Sequence, residues 1–359
     1  MRLAVLALTA ALACPALQAA EATRTLKLAL QGDPARPFAV ENLTGAMRVG
    51  PGDGDTVVAV ATVHAESQAL ADSVRFEQVT GERGVPTLRV RYPVDRYDTF
   101  RSPQVKGAEG WLSLLMGGGS NIKYDGHQVR VSGSSGVLLY ADVEVQVPRR
   151  TVDGRFLNRV GPITGRDLSG ALWFDGSSGT VSLEGLRGDV VADTGSGDVS
   201  ATRIEGSFRC DTGSGDCAVD TFKGERLSCD TGSGDVRLRA VDARRVHADT
   251  GSGEVRLEGA SIEDVEIDTG SGGVSIQAAG ARLHRIKADT GSGDVRLQLG
   301  AEAAFEAHAD LGSGEIVSRY PDAQPILKRR ELVGYRRGDG QIRIDVDTGS
   351  GDLVLEPGL

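Results

Sequence analysis

Asp-Thr-Gly-Ser is a turn that can do acid–base chemistry: an aspartate in it, set about 3 Å from a second carboxylate, shares a proton with it and activates water. That chemistry needs two such turns, one from each of two lobes. In this 359-residue chain the turn begins at Asp175 (as a degenerate Asp-Gly-Ser-Ser-Gly), Asp193, Asp211, Asp230, Asp249, Asp268, Asp289, Asp310 and Asp347. A turn repeated so often is explained by architecture, and catalysis by these aspartates is set aside.

The same acids raise a metal question. Stacked in register, the first aspartates, and likewise the acids five places on (Asp198, Asp216, Asp235, Glu254, Asp294 and Glu315), form rows of like charge about 5 Å apart. Such rows repel unless hydrogen bonds, arginines or cations offset them. Arg237, Arg256 and Arg296 stand two residues beyond Asp235, Glu254 and Asp294 and are expected to supply counterions. Calcium-binding β-rolls use a different, nine-residue repeat, so structural calcium is the weaker reading, and no cofactor is expected. His247 and His308 hold equivalent places three coils apart, roughly 14 Å, too far to share a metal. His-Glu-x-x-His, Cys-x-x-Cys, Gly-x-Ser-x-Gly and phosphate-loop patterns do not occur.

Three cysteines, Cys210, Cys217 and Cys229, follow the N-terminal region. Cys210 and Cys229 hold the same place in successive repeats, one residue before the turn, so their Cα atoms are expected about 4.8 Å apart, within disulfide reach. A Cys210–Cys229 bridge is one reading. Free thiols filling positions held elsewhere by alanine are the other. Cys217 falls in a column of valines and is expected to be left unpaired.

The elements that must position these residues follow from their period. Successive turns are 18, 18, 19, 19, 19, 21, 21 and 37 residues apart, the signature of a solenoid in which each coil buries its apolar face against its neighbours. Before each turn stand Val190, Phe208, Leu227, Val246, Val265 and Ile286, and two places on Ala192, Cys210, Cys229, Ala248, Ile267 and Ala288. After it stand Val199, Cys217, Val236, Val255, Val274 and Val295, then Ala201, Val219, Leu238, Leu257, Ile276 and Leu297. That alternation predicts strands on both sides of each corner, and no stretch carries a helical period over ten or more residues.

The corner glycines are Gly195 and Gly197, Gly213 and Gly215, Gly232 and Gly234, Gly251 and Gly253, Gly270 and Gly272, and Gly291 and Gly293. They are expected to reach positive φ without a Cβ penalty, with the preceding aspartate bonding amides two residues on. A second corner is expected near Gly188, Gly206, Gly224 and Gly259. The last step, of 37 residues, reads as two coils of which one has lost its motif, leaving an irregular insert over 320–340 with the basic run Lys328, Arg329, Arg330. The fold class is all-β: a β-solenoid, a single-stranded parallel β-helix of about 18–21 residues per coil. Right-handed winding is favoured by the chirality of parallel crossovers. Only 4% aromatic residues and 49 glycines suit ladders of Val, Leu, Ala and Ile.

Residues 1–20 read as a secretory signal: Arg2, an apolar run from Leu3 to Ala13, and small residues at Ala19 and Ala20. Leu12-Ala13-Cys14 resembles a lipidation box, but Ala11 stands where Leu is usual, so lipid anchoring at Cys14 is the weaker reading. No later segment has 18 uninterrupted apolar residues, so no transmembrane helix is expected after signal removal. Removal of 1–20 takes one basic residue and leaves 39 Lys plus Arg against 50 Asp plus Glu, a net −11, which excludes nucleic acid as a natural partner. Residues 21–165 form an irregular N-terminal β cap with an inserted loop over 95–128, and 166–359 form the repeat domain. Phe38–Val63 reads as two or three strands, Val74–Val94 as a hairpin about Gly81–Gly84, and Val129–Val147 as strand again. The Trp111–Met116 patch reads as a loop packed over the core end.

The recurrent Asp-Thr-Gly-Ser-Gly-Asp-Val, preceded by Phe38-Ala-Val-Glu-Asn-Leu-Thr-Gly45 and by Val145-Gln-Val-Pro148, resembles a bacterial β-strand-repeat family of unknown function whose members are called candidate adhesins, related to autotransporter-adhesin heads. The resemblance implies a β-solenoid of the cell envelope with no assigned activity. Two functions follow. One is a non-catalytic exported scaffold, in the periplasm or on the cell surface, binding a surface, glycan or protein partner. The other is a polysaccharide-active β-helix enzyme, which would need unrepeated acids converging beside the basic insert.

Overall fold

The structure, a computed structural model, describes residues 21–103, 119–278 and 282–358. The leader at 1–20 and the Trp111–Met116 patch lie outside the described residues.

Alternation of aliphatic and polar residues produces one long bent strand per repeat: Val199–Thr212, Cys217–Thr231, Val236–Thr250 and Val255–Thr269. Each pairs in parallel with the next in a register that brings like residues together, such as Val219 with Leu238 and Leu257. The apolar columns expected from the sequence are buried throughout. Besides the glycine corner, these strands bend where a residue adopts left-handed backbone: Arg203 (φ 55°), Thr221 (φ 63°) and Ala240 (φ 49°), stacked below Asp167 and Gly185 of earlier rungs. No residue type marks this corner, so the sequence hides it. Of the glycines expected at a second corner, Gly188 (φ 113°) and Gly206 (φ 120°) have positive φ.

Register follows the position of the first motif aspartate through the whole stack: Glu41, Leu157, Asp175, Asp193, Asp211, Asp230, Asp249, Asp268, Asp289, Asp347 and Asp310. Two features of this order correct the linear reading. Phe38–Thr44 and Met47–Gly52 form a rung on top of Val152–Val160 and Ile163–Arg166, although more than a hundred residues separate them in the chain. At the other end, Ile342–Thr348 pairs with Arg285–Thr290 on one side and Phe305–Leu311 on the other, so the last rung in sequence is the penultimate one in space. The 37-residue step from Asp310 to Asp347 therefore does not hold a coil that has lost its motif. Residues 320–340 carry instead an antiparallel hairpin, Gln324–Lys328 with Glu331–Arg337, whose second strand covers part of Phe305–Leu311. The intercalation also puts His247 and His308 four rungs apart, about 19 Å, through Glu266, Lys287 and Asp345.

The opposite end is closed by Ala22–Ala29, Val58–Ala65 and Val137–Pro148, paired antiparallel, with Val137–Pro148 also parallel to Met47–Gly52. The expected hairpin is Arg75–Thr80 with Pro86–Arg91. Helix is confined, among the described residues, to Gln68–Ser73, capped by the Ser67 hydroxyl, and a 3₁₀ turn at Glu82–Gly84.

Candidate functional site

The motif corner is built differently from expectation. From Asp193 onward not one of its glycines adopts positive φ; Gly179 of the degenerate first copy does (φ 135°). A Cβ on Gly197, Gly215, Gly234, Gly253, Gly272 or Gly293 would lie 1.7–2.1 Å from a carbonyl oxygen of the preceding rung, and one on Gly195, Gly213, Gly232, Gly251, Gly270 or Gly291 would lie 2.3–2.6 Å from one. Glycine is required because backbone stacks on backbone. The hydrogen-bonding side chain is the threonine rather than the aspartate. Thr212, Thr231, Thr250, Thr269 and Thr290 are buried, each donating its hydroxyl to a glycine carbonyl one rung away and accepting the amide three residues on. At the cap end the column continues as Asn42 and Asn158, whose amides bond each other and the carbonyls of Ala141 and Gly45.

The two acid rows differ in environment. The second row is neutralised by backbone: the carboxylates of Asp198, Asp216, Asp235 and Asp294 accept the amides of Asp216, Asp235, Glu254 and Asp352 at 2.9–3.0 Å. Arg237 bridges Asp216 (2.7 Å) and Asp235, and with the amide of Asp235 holds the Asp216 carboxyl below its usual range. Arg256 pairs with Glu254 as expected, whereas Arg296 turns to Glu356. Asp193, Asp211, Asp230, Asp249, Asp268 and Asp289 of the first row stack directly on one another. Burial, then the neighbouring carboxylates, push Asp193 and Asp249 upward.

Unrepeated charges, missed in the sequence, gather beside the cap. Glu41 lies 2.6 Å from Arg89 and 3.5 Å from Arg159; Arg89 reaches Asp125 at 3.0 Å, and Arg159 reaches Asp175 at 3.3 Å. Every carboxylate there is matched to a guanidinium, the pattern of a structural network rather than of a general acid.

At the C-terminal end part of a strand edge is left uncovered. Antiparallel pairing of Glu331–Arg337 with Phe305–Leu311 stops at His308 opposite Gly334. The outer edge of Ala309, Asp310 and Leu311 continues into a groove of about 410 Å³ lined also by Ile316, Leu332 and Val333. Leu327 (63% exposed), Leu332 (38%) and Val317 (40%) are three of the five large apolar side chains exposed among the described residues. At the hairpin tip Arg329 (φ 53°) and Arg330 (φ 76°) both occupy left-handed backbone, the two-residue turn that normally selects Asn-Gly.

Cys210 stacks on Cys229 in the next rung, and all three cysteines are buried thiols. Cys217 stands at the opposite end of the strand that holds Cys229, with their Sγ atoms 2.8 Å apart. Burial pushes the Cys217 thiol up.

The fold is therefore a stacked-rung all-β protein with a repeated glycine corner. The chain belongs to the Toastrack DUF4097 family, whose model matches residues 121–356. No curated protein matches it. Among solved structures it is similar to a candidate cell adhesion protein from Clostridium sporogenes (9% identity, 94% of this chain and 100% of that one, TM-score 0.20). It is also similar to a candidate lipid-binding protein from Parabacteroides distasonis (13%, 93% and 96%, TM-score 0.38) and a candidate adhesin from the same organism (11%, 93% and 98%, TM-score 0.35). Superpositions this weak bear no argument on function.

Proposed function

We propose that this chain is a non-catalytic, exported rod of the cell envelope whose C-terminal end binds an extended segment of a protein partner. The observation that carries this reading is the outer edge of Ala309–Leu311, left uncovered by the hairpin, which runs into a groove where Leu311, Ile316, Leu332 and Val333 alternate with Asp310, Glu315 and Glu331. A sheet edge with unpaired amides and carbonyls is a template for an added strand, and flanking apolar pockets select its side chains. Lys328, Arg329 and Arg330 at the hairpin tip and Asp310, Glu315 and Glu331 in the groove favour a segment with basic residues along the groove and an acidic one at the tip. The enzyme reading loses support at this end. Asp345 is tied to Arg343 (3.0 Å) and Arg285 (3.7 Å), and Glu306 is held below its usual range first by His308 and then by Arg336. Export rests on residues 1–20, and mass analysis of the mature N-terminus tests it: a start at Glu21 supports a cleaved leader, acylated Cys14 an anchor.

A photocrosslinker placed at Leu332 in the native host tests the binding surface. A discrete protein adduct, absent when the crosslinker stands at Trp173 and lost on Ile316→Asp, is expected. Lipid adducts alone, or the same adducts from both positions, would refute the reading.

A further inference from the structure

We propose that Cys217 and Cys229 form a disulfide across the interior of one rung, leaving Cys210 as a buried thiol. Each of the three sulfurs lies within 4.8 Å of the others, so the question is which pair joins. Cys210 and Cys229 are in-register neighbours in parallel strands, and their Cβ atoms share the rung spacing of about 4.8 Å. A disulfide draws its Cβ atoms to about 3.5–4.5 Å, so this pair would have to pinch two rungs together while the columns on either side stay at full spacing. Cys217 and Cys229 stand on facing walls of the same rung and meet head on. Their sulfurs, 2.8 Å apart, already lie well inside the van der Waals contact of two such atoms.

The alternative occupant of a three-sulfur cluster is a soft cation such as Cu(I). It would need two or three thiolates and would place their net negative charge in a core whose columns read Val199, Cys217, Val236 and Ala192, Cys210, Cys229, Ala248, all buried. No cationic side chain lines those columns, and an uncompensated buried charge is costly. The disulfide is neutral and suits a dry interior.

Because the thiols are sealed once the rungs stack, the bond forms during folding. A small-molecule disulfide of the oxidised-glutathione class supplies the oxidant. One cysteine thiolate attacks it and releases one small thiol; the second cysteine attacks the mixed disulfide and releases the other. Two protein thiols and one oxidant disulfide give one protein disulfide and two small thiols. The proposal is independent of the partner surface and, in vitro, of export.

The test is refolding of the mature chain in a glutathione redox buffer and, separately, in phosphine reductant, followed by thiol counting under denaturing conditions and intact mass. One free thiol and a loss of about 2 Da are expected in the redox buffer, with a melting temperature higher by on the order of 5 °C than the reduced form. The tryptic peptides 210–223 and 227–237 should be joined without reductant. Because the first of these holds both Cys210 and Cys217, variants assign the pair, each using the residue its own column holds in a neighbouring rung. Cys210→Ala should keep the cross-link and leave no free thiol; Cys217→Val should lose it. Three free thiols after oxidative refolding, a cross-link that survives Cys217→Val but not Cys210→Ala, or stoichiometric copper or zinc in the purified chain would each overturn the assignment.

Discussion

Replacing Gly234 by alanine tests why the motif carries glycine. The added Cβ would sit 1.9 Å from the carbonyl oxygen of Gly215 and 2.4 Å from its carbon, against an ordinary contact of 3.4–4 Å, so the two rungs must part by roughly 1.5 Å at the corner. Both sides are backbone in mid-stack and neither can swing away. Three hydrogen bonds beside Gly234 cross between the two rungs: Thr231 Oγ1 to the Gly215 carbonyl (2.8 Å), the Asp235 amide to Asp216 (2.9 Å), and the Cys217 amide to the Asp235 carbonyl (2.9 Å). At about 1 kcal/mol each, their loss alone predicts a destabilisation of about 3 kcal/mol. Gly300, with open space around its Cβ position and no left-handed φ, is the control, and alanine there should be neutral or stabilising by about 0.5 kcal/mol. Urea unfolding followed by far-ultraviolet circular dichroism measures both. Asparagine decides the mechanism: a left-handed turn would accept it better than alanine, whereas a blocked carbonyl contact makes it no better. A Gly234→Ala cost below about 1 kcal/mol, or a rescue by asparagine, would refute the stacking argument.

The threonine column makes a second test. Thr231→Val keeps the shape but leaves the Gly215 carbonyl and the Gly234 amide without their side-chain partner, and should cost about 2–4 kcal/mol in chemical denaturation, with Thr231→Ser much milder. In the first acid row, the native Asp193 carboxyl titrates above its ordinary 3.8, so the native state holds that proton more tightly than the unfolded chain. Its contribution to stability is full below pH 3.8 and lost as pH rises through the native value. Asp193→Asn should therefore raise the urea midpoint at pH 7 and leave it unchanged at pH 3.5. Thr221, a β-branched residue at φ 63°, strains its corner, and Thr221→Gly should stabilise by up to about 1 kcal/mol in the same assay; glycine already stands in this column at Gly185, two rungs away.

The repeat was legible because its physics is local. A period of about 19 residues, with Val, Leu and Ala at alternate places, leaves little besides stacked strands, and the observed register aligns those columns residue for residue. The glycines were legible as a corner but not in their reason, since positive φ and a blocked Cβ both select glycine and only coordinates separate them. The threonines are invisible to an apolar-periodicity argument because a buried hydroxyl breaks the pattern while satisfying the backbone. The left-handed corner at Arg203, Thr221 and Ala240 has no shared side chain to read at all. The ion network of Glu41, Arg89, Asp125 and Arg159 joins segments more than a hundred residues apart in sequence, which no spacing argument reaches.

Rung order is the hardest feature to read, because the repeats are interchangeable. A chain stacked in sequence order and one with Ile342–Thr348 slipped between Arg285–Thr290 and Phe305–Leu311 bury the same columns of Ile, Val and Ala and align the same aspartates. What distinguishes them is the end rung. From Asp193 onward each motif copy reads Asp-Thr except Asp310-Leu311. A threonine in that column ties its glycine corner to the rung before it, and Thr348 does so to Gly293 at 3.3 Å. Leucine forms no such tie, and its larger side chain suits a position with no rung beyond, where Leu311 is half-exposed in the groove under the hairpin. The departure from the motif thus marks the physical terminus of the stack 48 residues before Leu359. The same leucine that closes the ladder lines the surface assigned to the partner, so the residue that stops growth of the stack by its own chain is the one an added strand from another chain would cover.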